Sequence, residues 1–275
     1  MTETKPRAII AHGHIFKNAG TTFDWTLKRN FKKGFTDHRD KKQMGLGGVN
    51  CLVNIIRNNA KLKAVASHHF YHWMPLPDLP QVTIIPCFFI RHPIERVRSV
   101  YTFERRQKSD TPGAVHAKKL GFRDYVDWRM GHSGGGVVMN YQLKYCSGRR
   151  GLALDDDLVS QTTQFLSTEA LTGVVDRYDE SMVYFEDVLR ERFPQIDLSY
   201  LRQNVSKGVA TGLSTEDKIA EICQELDDSA DVLKECNLAD LKLYSLINQA
   251  LDRQVGQISN FSEKLAEFRL RCNKL

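Results

Sequence analysis

The sequence lacks the features that mark membrane-spanning and exported proteins. It has no run of about eighteen apolar residues, so it predicts no transmembrane helix, and residues 1–5 lack the apolar core of a signal peptide. Its six cysteines include no C-x-x-C pair, which argues against a structural zinc site and favours a reducing compartment. These absences predict a cytoplasmic protein.

Internal repeats and low-complexity segments are also missing, and the composition is ordinary for a globular protein, with 26% charged and 9% aromatic residues. The 275 residues are enough to bury a sizeable core. The formal net charge of +6 is concentrated in the first half of the chain, and such a field attracts polyanions. Because no recognisable nucleic-acid-binding module accompanies the charge, the sequence does not favour nucleic acid as a partner.

Apolar segments with strand and helix periodicity alternate along the chain. Strands are predicted at residues 8–14, 63–67, 87–90 and 171–175, and helices at 21–31, 94–106, 122–130, 137–146 and 180–193. The third strand starts after Pro86 in this prediction because proline cannot donate to a sheet ladder. From about residue 216 the pattern is helical only. The order predicts an α/β fold with a central, mostly parallel sheet flanked by helices, and with ligand loops at the carboxyl ends of the strands.

The most informative segment, residues 8–22, joins the first strand to the first helix through a short loop. A loop of this kind brings free backbone N–H groups and the positive end of the helix dipole to one point, which favours an anion. Lys17 adds a full charge, and Thr21 and Thr22 add hydroxyl groups. The segment therefore predicts a phosphate or sulfate site.

The spacing in this loop differs from that of the nucleoside-triphosphate loop, G-x-x-x-x-G-K-[ST], in which a lysine follows the second glycine. Here Thr21 follows Gly20, and Lys17 lies three residues before that glycine. No apolar strand that ends in a Mg²⁺-binding aspartate is evident in the sequence. A nucleotide kinase that depends on ATP and Mg²⁺ is therefore the weaker alternative.

A second anion-binding pattern follows the strand at residues 87–90. Pro93 suits the first turn of a helix, where its missing N–H costs nothing, and apolar residues then recur at helical spacing. Arg91 lies at the end of the strand, and Ser99 lies about two turns into the helix. A bidentate guanidinium and a hydroxyl suit a phosphate dianion.

Together the two segments resemble the cofactor sites of sulfotransferases that use 3′-phosphoadenosine 5′-phosphosulfate (PAPS), in particular the carbohydrate branch with the uronyl 2-O-sulfotransferases. Residues 14–22 are similar to the 5′-phosphosulfate loop, which reads roughly His-Ile-x-Lys-Thr-Gly/Ala-Gly-Thr-Ser in that branch. Residues 91–101 are similar to its 3′-phosphate site, an Arg-Asp-Pro…Arg…Ser-x-Tyr signature, with His92 in place of the aspartate. Weaker similarities extend the resemblance over roughly residues 8–250.

The resemblance implies a single sulfotransferase domain over residues 1–275, with a P-loop-like three-layer fold and a helical C-terminal extension at about 215–275 packed on it. It implies that nine residues bind the cofactor: Lys17, Asn18, Ala19, Gly20, Thr21, Thr22, Arg91, Ser99 and Lys207. It also gives Lys17 a catalytic role, because a lysine at this place would neutralise charge that grows on the leaving phosphate.

The reaction needs a base, and histidine suits that role near neutral pH. The resemblance places a catalytic histidine after the strand at 63–67, where the branch has a Gly-His segment and this chain has Ser67-His68-His69. Aligning Ser67 with the glycine indicates His68, and a shift of one residue indicates His69. His14 is expected to support the loop.

The implied function is transfer of a sulfuryl group from PAPS to an acceptor hydroxyl, of a carbohydrate or another small molecule, without a metal ion. No cluster of metal ligands is evident in the sequence. Two alternatives stay open: a P-loop nucleotide-dependent kinase, and a non-catalytic binder of anions or nucleic acid. Donor specificity separates the first from a sulfotransferase, and turnover separates the second.

Overall fold

The computed structural model describes residues 6–38, 42–71, 79–132, 135–148, 154–201 and 213–275, with the backbone alone for 42–46. The strands of this part are β1 (Arg7–Gly13), β2 (Phe35–Asp37), β3 (Ala64–Ser67), β4 (Val82–Ile90) and β5 (Leu171–Val174). Its helices are α1 (Gly20–Phe31), α2 (Lys42–Asn58), α3 (Pro93–Arg106), α4 (Pro112–Lys119), α5 (Phe122–Met130), α6 (Tyr141–Ser147), α7 (Asp156–Thr168), α8 (Tyr178–Leu189), α9 (Thr215–Leu226), α10 (Ser229–Glu235), α11 (Leu238–Gly256) and α12 (Phe261–Asn273).

The five strands form one parallel sheet in the order β2-β3-β1-β4-β5. The central strand is β1, in which Ala11 lies opposite Val65 of β3 on one side and Pro86 of β4 on the other. The direction in which the chain crosses the sheet reverses between β1 and β4, and ligands bind in the crevice at such a point in open α/β sheets. This arrangement confirms the predicted α/β, P-loop-like three-layer fold.

Helices cover both faces of the sheet, because successive residues of β1 are apolar and point to opposite sides. On one face, Ile9 belongs to an apolar cluster with Leu52 and Ile56 of α2. On the other face, Ile10 belongs to a larger cluster with Phe23 of α1. The central strand is therefore buried on both sides, and its carboxyl end is held rigidly at the sheet edge.

Strand β4 is longer than predicted, since it begins at Val82 and includes Pro86. Pro86 is opposite Ala11 of β1, but β5 pairs with β4 only from Cys87 onward. Pro86 therefore has a neighbouring strand on one side only, and proline is tolerated where no second strand needs its N–H. The prediction that the strand begins after the proline was wrong for this reason.

The helix predicted at residues 137–146 was also wrong, because a 3₁₀ turn and the later, shorter helix α6 occupy this region. Asn140 has a φ of 45°, a left-handed conformation that interrupts a helix. Asp240 of α11 then caps α6 by accepting two backbone N–H groups of its first turn, at 3.0 and 2.8 Å. The start of α6 is thus set by a residue far along the chain.

The remaining predicted elements are present, with small shifts at their ends. Helix α5 has the predicted bounds, and α1, α3 and α8 differ from prediction by at most four residues at either end. The sequence analysis did not predict β2, α2, α4 or α7. Helices α9 to α12 confirm the helical C-terminal region, and Ile247, Leu251 and Phe268 are buried in the same cluster as the sheet. Across the described ranges, no helix combines the length and the apolar character needed to cross a bilayer.

Candidate anion-binding site

The loop between β1 and α1 forms a concave backbone surface at the carboxyl edge of the sheet. Lys17 and Ala19 both have left-handed conformations, with φ of 67° and 57°. Such alternation turns successive N–H groups toward one point and makes an anion-binding concavity. In the described part of the chain, the N–H groups of Ala19, Gly20 and Thr21 have no backbone or side-chain acceptor. The first turn of α1 therefore offers three donors to a ligand.

The first residue of α1 is Gly20, and the neighbouring His14 ring leaves no room there for a side chain. A Cβ at this position would lie 2.5 Å from His14, well inside van der Waals contact. His14 is itself buried, with 6% of its surface exposed. The imidazole therefore lies directly against the loop, as expected from the sequence.

Lys17 lies in a strongly positive surrounding. Its Nζ is 4.6 Å from the centroid of the Phe103 ring on α3 and 5.9 Å from that of Phe16. Burial, followed by the charges of Arg91 and Arg106, lowers the pKa of Lys17 to about 8. A bound anion would relieve this repulsion and restore the charged form of the lysine.

Arg91 reaches the same loop from the end of β4. Its Nη1 donates to the carbonyl of Lys17 at 3.3 Å, and its buried Nε has no hydrogen-bond partner within the described ranges. Glu95, one turn into α3, forms an ion pair with that Nε at 3.5 Å. The structure thus brings the two predicted cationic residues, Lys17 and Arg91, together at the crevice between β1 and β4.

Ser99 lies on the side of α3 that approaches this loop. It is half-buried, one turn before Phe103, whose ring packs on Phe16 at 5.3 Å. Glu95, Ser99 and Phe103 follow one another at intervals of four residues and so share one face of α3. That shared face includes the Glu95 carboxylate paired with Arg91 and the ring beside Lys17.

Asn18 points into the protein. Only 1% of its surface is exposed, and its amide nitrogen donates to the carbonyl of Phe89 at 2.7 Å and to Gln142 Oε1 at 2.6 Å. Its backbone N–H donates to the carbonyl of Ile15 at 3.2 Å. The side chain therefore fastens the loop to β4 and α6.

Gln142 has a role that the sequence analysis did not predict. It is fully buried in α6, and its Oε1 accepts the backbone N–H of Arg91 at 2.8 Å as well as the amide of Asn18. Its Nε2 donates to the carbonyl of Arg91 at 2.9 Å. One side chain thus holds both halves of the site. Residues 140–142, Asn-Tyr-Gln, belong to one of the weaker similarities to the sulfotransferases, but the sequence alone did not reveal the partners of Gln142.

Arg96 is a second unassigned residue that shapes the loop. It is fully buried, and its guanidinium lies 4.5 Å from the Tyr141 ring centroid. It donates to the carbonyl of Phe16 at 3.5 Å and also to the carbonyl of Val137. Arg96 therefore ties the loop to α3 and to the segment before α6.

His68 and His69 follow β3, on the other side of β1. His68 Nδ1 lies 2.6 Å from the carbonyl of His14, and the two rings are 4.6 Å apart. A carbonyl only accepts, so Nδ1 of His68 carries the proton and Nε2 is the basic nitrogen. His69 Nδ1 lies 3.3 Å from the hydroxyl of Tyr71, and its backbone N–H donates to Ser67 Oγ at 3.0 Å.

Comparison with known proteins adds a relative without a known function. No model of a protein family matches the chain. The chain is similar to an uncharacterized protein of Archaeoglobus fulgidus, with 29% identity over 252 residues that cover 88% of this chain and 96% of that protein.

Three further residues were predicted to bind the cofactor. Thr21 is half-buried and Thr22 is buried, both in the first turn of α1. Lys207 lies outside the residues that the structure describes.

Beneath the loop lies a group that could offer metal ligands: His12, His14 and Asp24 are all buried, with ligand atoms within 4.8 Å of one another. His12 Nδ1 is 2.7 Å and His14 Nδ1 is 2.8 Å from the carboxylate oxygens of Asp24. These are hydrogen-bond distances. The sequence analysis recognised neither the group nor Asp24.

Proposed function

We propose that this protein is a sulfotransferase that moves a sulfuryl group from PAPS to an acceptor hydroxyl, of a carbohydrate or another small molecule. The observation that carries the proposal is the convergence of Lys17 and Arg91 on three N–H donors at the start of α1. A donor with a phosphosulfate and a separate phosphate needs two such anion-binding points. The contact of 3.3 Å between Arg91 Nη1 and the Lys17 carbonyl supports their proximity.

In this proposal the first point binds the 5′-phosphosulfate. The N–H groups of Ala19, Gly20 and Thr21 and the ammonium of Lys17 surround the phosphate, with the hydroxyls of Thr21 and Thr22 nearby. As the acceptor oxygen attacks sulfur, the bond from sulfur to the phosphate oxygen breaks and its electron pair stays on that oxygen. Donors fixed beforehand at the growing charge stabilise the transition state.

The second point binds the 3′-phosphate, through Arg91 and Ser99. Gln142 fixes the backbone of Arg91 on both its N–H and its carbonyl, so the guanidinium starts from a defined place. Its Nε, which forms an ion pair with Glu95 at 3.5 Å but no hydrogen bond within the described ranges, is a donor to which a phosphate oxygen could bind in place of that carboxylate. A guanidinium at this point would separate PAPS from ATP, which has no phosphate on the ribose 3′ oxygen.

His68 is the better candidate for the base. The carbonyl of His14 holds its proton on Nδ1, which leaves the lone pair on Nε2 for the proton of the acceptor hydroxyl. His69 instead lies near a tyrosine hydroxyl, which can donate or accept and so fixes no tautomer. The geometry therefore supports His68 over His69 for the proton transfer.

A Mg²⁺-dependent kinase is less well supported by the same geometry. Of the two strands that pair with β1, β4 brings Arg91 to the loop, where a kinase would need a carboxylate to hold the metal. Lys17 also has two arginines as its main charged neighbours. Mg²⁺-ATP is nevertheless the control ligand that decides between the two functions.

The proposal is tested by calorimetric binding of 3′-phosphoadenosine 5′-phosphate (PAP), the product, with 5′-AMP and Mg²⁺-ATP as controls. For Arg91→Ala we expect PAP affinity to fall about 10–100-fold, since one charge-assisted hydrogen-bond pair contributes about 1.5–3 kcal/mol. The affinity for 5′-AMP should change little. Arg98→Ala is the matched control, because Arg98 lies on α3, shortly after Arg91, and pairs with Glu225.

Equal affinities for PAP and 5′-AMP, or a preference for Mg²⁺-ATP, would count against the sulfotransferase. An Arg98→Ala variant that loses as much affinity as Arg91→Ala would show that general positive charge, rather than the 3′-phosphate, is recognised.

The site also predicts a pH dependence of donor binding. Burial, followed by a hydrogen bond with Asp176, raises the pKa of Glu95 to about 7. Below pH 7 Glu95 is neutral, and the Arg91 guanidinium can bind the 3′-phosphate without competition. Above pH 7 the Glu95 carboxylate is ionised, so that it competes with the phosphate for Arg91 and repels the ligand. We therefore expect PAP affinity to be lost as pH rises through 7, and Glu95→Gln to prevent this loss.

The measurement is the PAP affinity of Glu95→Gln divided by that of wild type, taken at each pH. The ionisation of the ligand and of Lys17 affects both proteins and therefore cancels in this ratio. The ratio should be near one below pH 7 and rise about three- to tenfold above it. A ratio that stays constant would show that Glu95 does not compete for Arg91.

A further inference from the structure

The group formed by His12, His14 and Asp24 lies beneath the anion-binding loop and has no part in the proposed donor binding or sulfuryl transfer. Asp24 is in the second turn of α1, and each of its carboxylate oxygens faces the Nδ1 of one imidazole, at 2.7 and 2.8 Å. All three side chains are less than a tenth exposed. An ionised carboxylate only accepts, so both Nδ1 atoms carry their protons.

The charge of Asp24 persists in this buried place. Burial alone would raise the pKa of Asp24, but the charges and hydrogen bonds of His12 and His14 outweigh it and hold that pKa well below its usual range. A buried carboxylate with two imidazole donors is therefore negative at neutral pH.

His14 connects this charge to the proposed base. Its ring is held by Asp24 on one side and lies 4.6 Å from the ring of His68. Its carbonyl accepts the Nδ1 proton of His68 at 2.6 Å, and its backbone N–H donates to the carbonyl of Ser67 at 2.9 Å. The same ring touches Gly20 at the start of α1. His14 is thus in contact with the loop, with β3 and with His68.

We propose that Asp24 is a positioning residue for His68, which it orients and makes more basic through His14. This inference rests on the proposed function, in which His68 takes the proton of the acceptor hydroxyl. Asp24 holds the ring of His14 through Nδ1, the His14 carbonyl selects the tautomer of His68, and the buried negative charge favours the imidazolium that forms. A base oriented by a further group is the general logic of catalytic triads.

A metal ion is the alternative explanation of the group. A catalytic zinc site can have three protein ligands, as many as the group found within the described residues, but a ring nitrogen that donates its proton to a carboxylate cannot bind a metal. Its nitrogen–oxygen contacts are also those of hydrogen bonds between the ligands themselves. The observations therefore favour the hydrogen-bonded group, and metal content is included in the test.

The test follows the imidazoles by ¹⁵N NMR over a pH titration, in wild type, Asp24→Asn and Asp197→Asn. In wild type we expect His68 to be protonated on Nδ1. In Asp24→Asn its pKa should fall by about one unit, since an opposite charge nearby has been removed. Asp197→Asn is the matched control, because Asp197 pairs with Arg29 of the same helix at 2.9 Å and does not touch the histidines.

Turnover and binding give the second readout. With carbohydrate acceptors, Asp24→Asn should lower kcat by up to about 100-fold, the loss expected when a catalytic group is misplaced by about 1 Å. The acidic limb of the pH profile should move to lower pH with the pKa of His68. Its PAP affinity should stay within about twofold, since its carboxylate does not contact the proposed phosphate points. A merely structural residue would lower both quantities together without moving the limb.

The proposal is overturned if His68 keeps its pKa and tautomer in folded Asp24→Asn. It is also overturned if the purified protein contains one equivalent of metal and if removing that metal with a chelator abolishes the NMR signals of His12 and His14. If Asp24→Asn does not fold, His14→Gln removes the ring between Asp24 and His68 but keeps the carbonyl. An unchanged His68 pKa in that variant also overturns the proposal. The NMR titration needs neither donor nor acceptor, so a wild type without PAP affinity would refute the proposed function and leave this result standing.

Discussion

Replacing Lys17 with alanine should lower the rate of sulfuryl transfer about 10²–10³-fold, the loss typical for one group that stabilises transition-state charge. In the proposed mechanism the ammonium faces the oxygen that leaves with the electron pair of the broken bond, and the interaction is strongest in the transition state, as charge grows on that oxygen. PAP affinity should fall by about tenfold at most, because ground-state binding is shared with the three N–H donors of α1.

The same variant should not be destabilised, which separates a functional residue from a structural one. Burial and two arginines lower the pKa of Lys17 to about 8, so at pH 7 the folded protein holds a charge that it disfavours. This cost to the free energy of unfolding is fully present below the pKa of Lys17 in the folded protein. It disappears as the pH rises through that pKa toward the ordinary pKa of lysine. We therefore expect Lys17→Ala to unfold at a temperature equal to or higher than that of wild type at pH 7.

The measurements are PAP release from PAPS with a panel of carbohydrate acceptors, PAP calorimetry and thermal unfolding. Lys28→Ala is the matched control, because Lys28 is an exposed lysine on α1, the helix that follows the loop of Lys17, and its loss changes the net charge equally. Unchanged turnover in Lys17→Ala, or an equal loss in Lys28→Ala, would remove Lys17 from the mechanism.

The positions of the two loops could be predicted because local signals determine them. Buried apolar runs define the ends of β1 and β4, and Pro93 marks the start of α3. These signals lie within a few residues of the elements they specify. The proximity of Lys17 and Arg91 then follows from the rule that parallel strands present their carboxyl ends at one edge.

Other features were unpredictable because their causes lie far along the chain. Whether Pro86 can occupy a strand depends on where β5 begins to pair, about 85 residues later. The start of α6 depends on Asp240, almost 100 residues away. Asn18 looks like a polar ligand in the sequence, yet its partners are the carbonyl of Phe89 and Gln142. Only the assembled sheet and helices bring such partners together.

Gln142 shows how far the site depends on these distant contacts. Its amide satisfies the N–H and the carbonyl of Arg91 and the amide of Asn18, at 2.8, 2.9 and 2.6 Å. Gln142→Ala removes the partner of the Arg91 N–H and carbonyl, leaves the Asn18 amide with the Phe89 carbonyl alone, and opens a cavity between the two loops. We expect the free energy of unfolding to fall by about 3 kcal/mol, since each unsatisfied buried group costs about 1–3 kcal/mol and nearby groups relax in part.

The loss should extend to ligand binding, because Gln142 connects the loop of Lys17 to the backbone of Arg91. A displacement of either half by about 1 Å costs up to about 100-fold in a site that needs both, so PAP affinity should fall at least about tenfold. The measurements are urea unfolding and PAP calorimetry, with Gln161→Ala on the exposed side of α7 as the matched control. If Gln142→Ala were less stable but bound PAP as wild type does, the two halves would be positioned independently. Gln142 would then be a core residue, and the geometry that carries the proposed donor site would have to come from β1 and β4 alone.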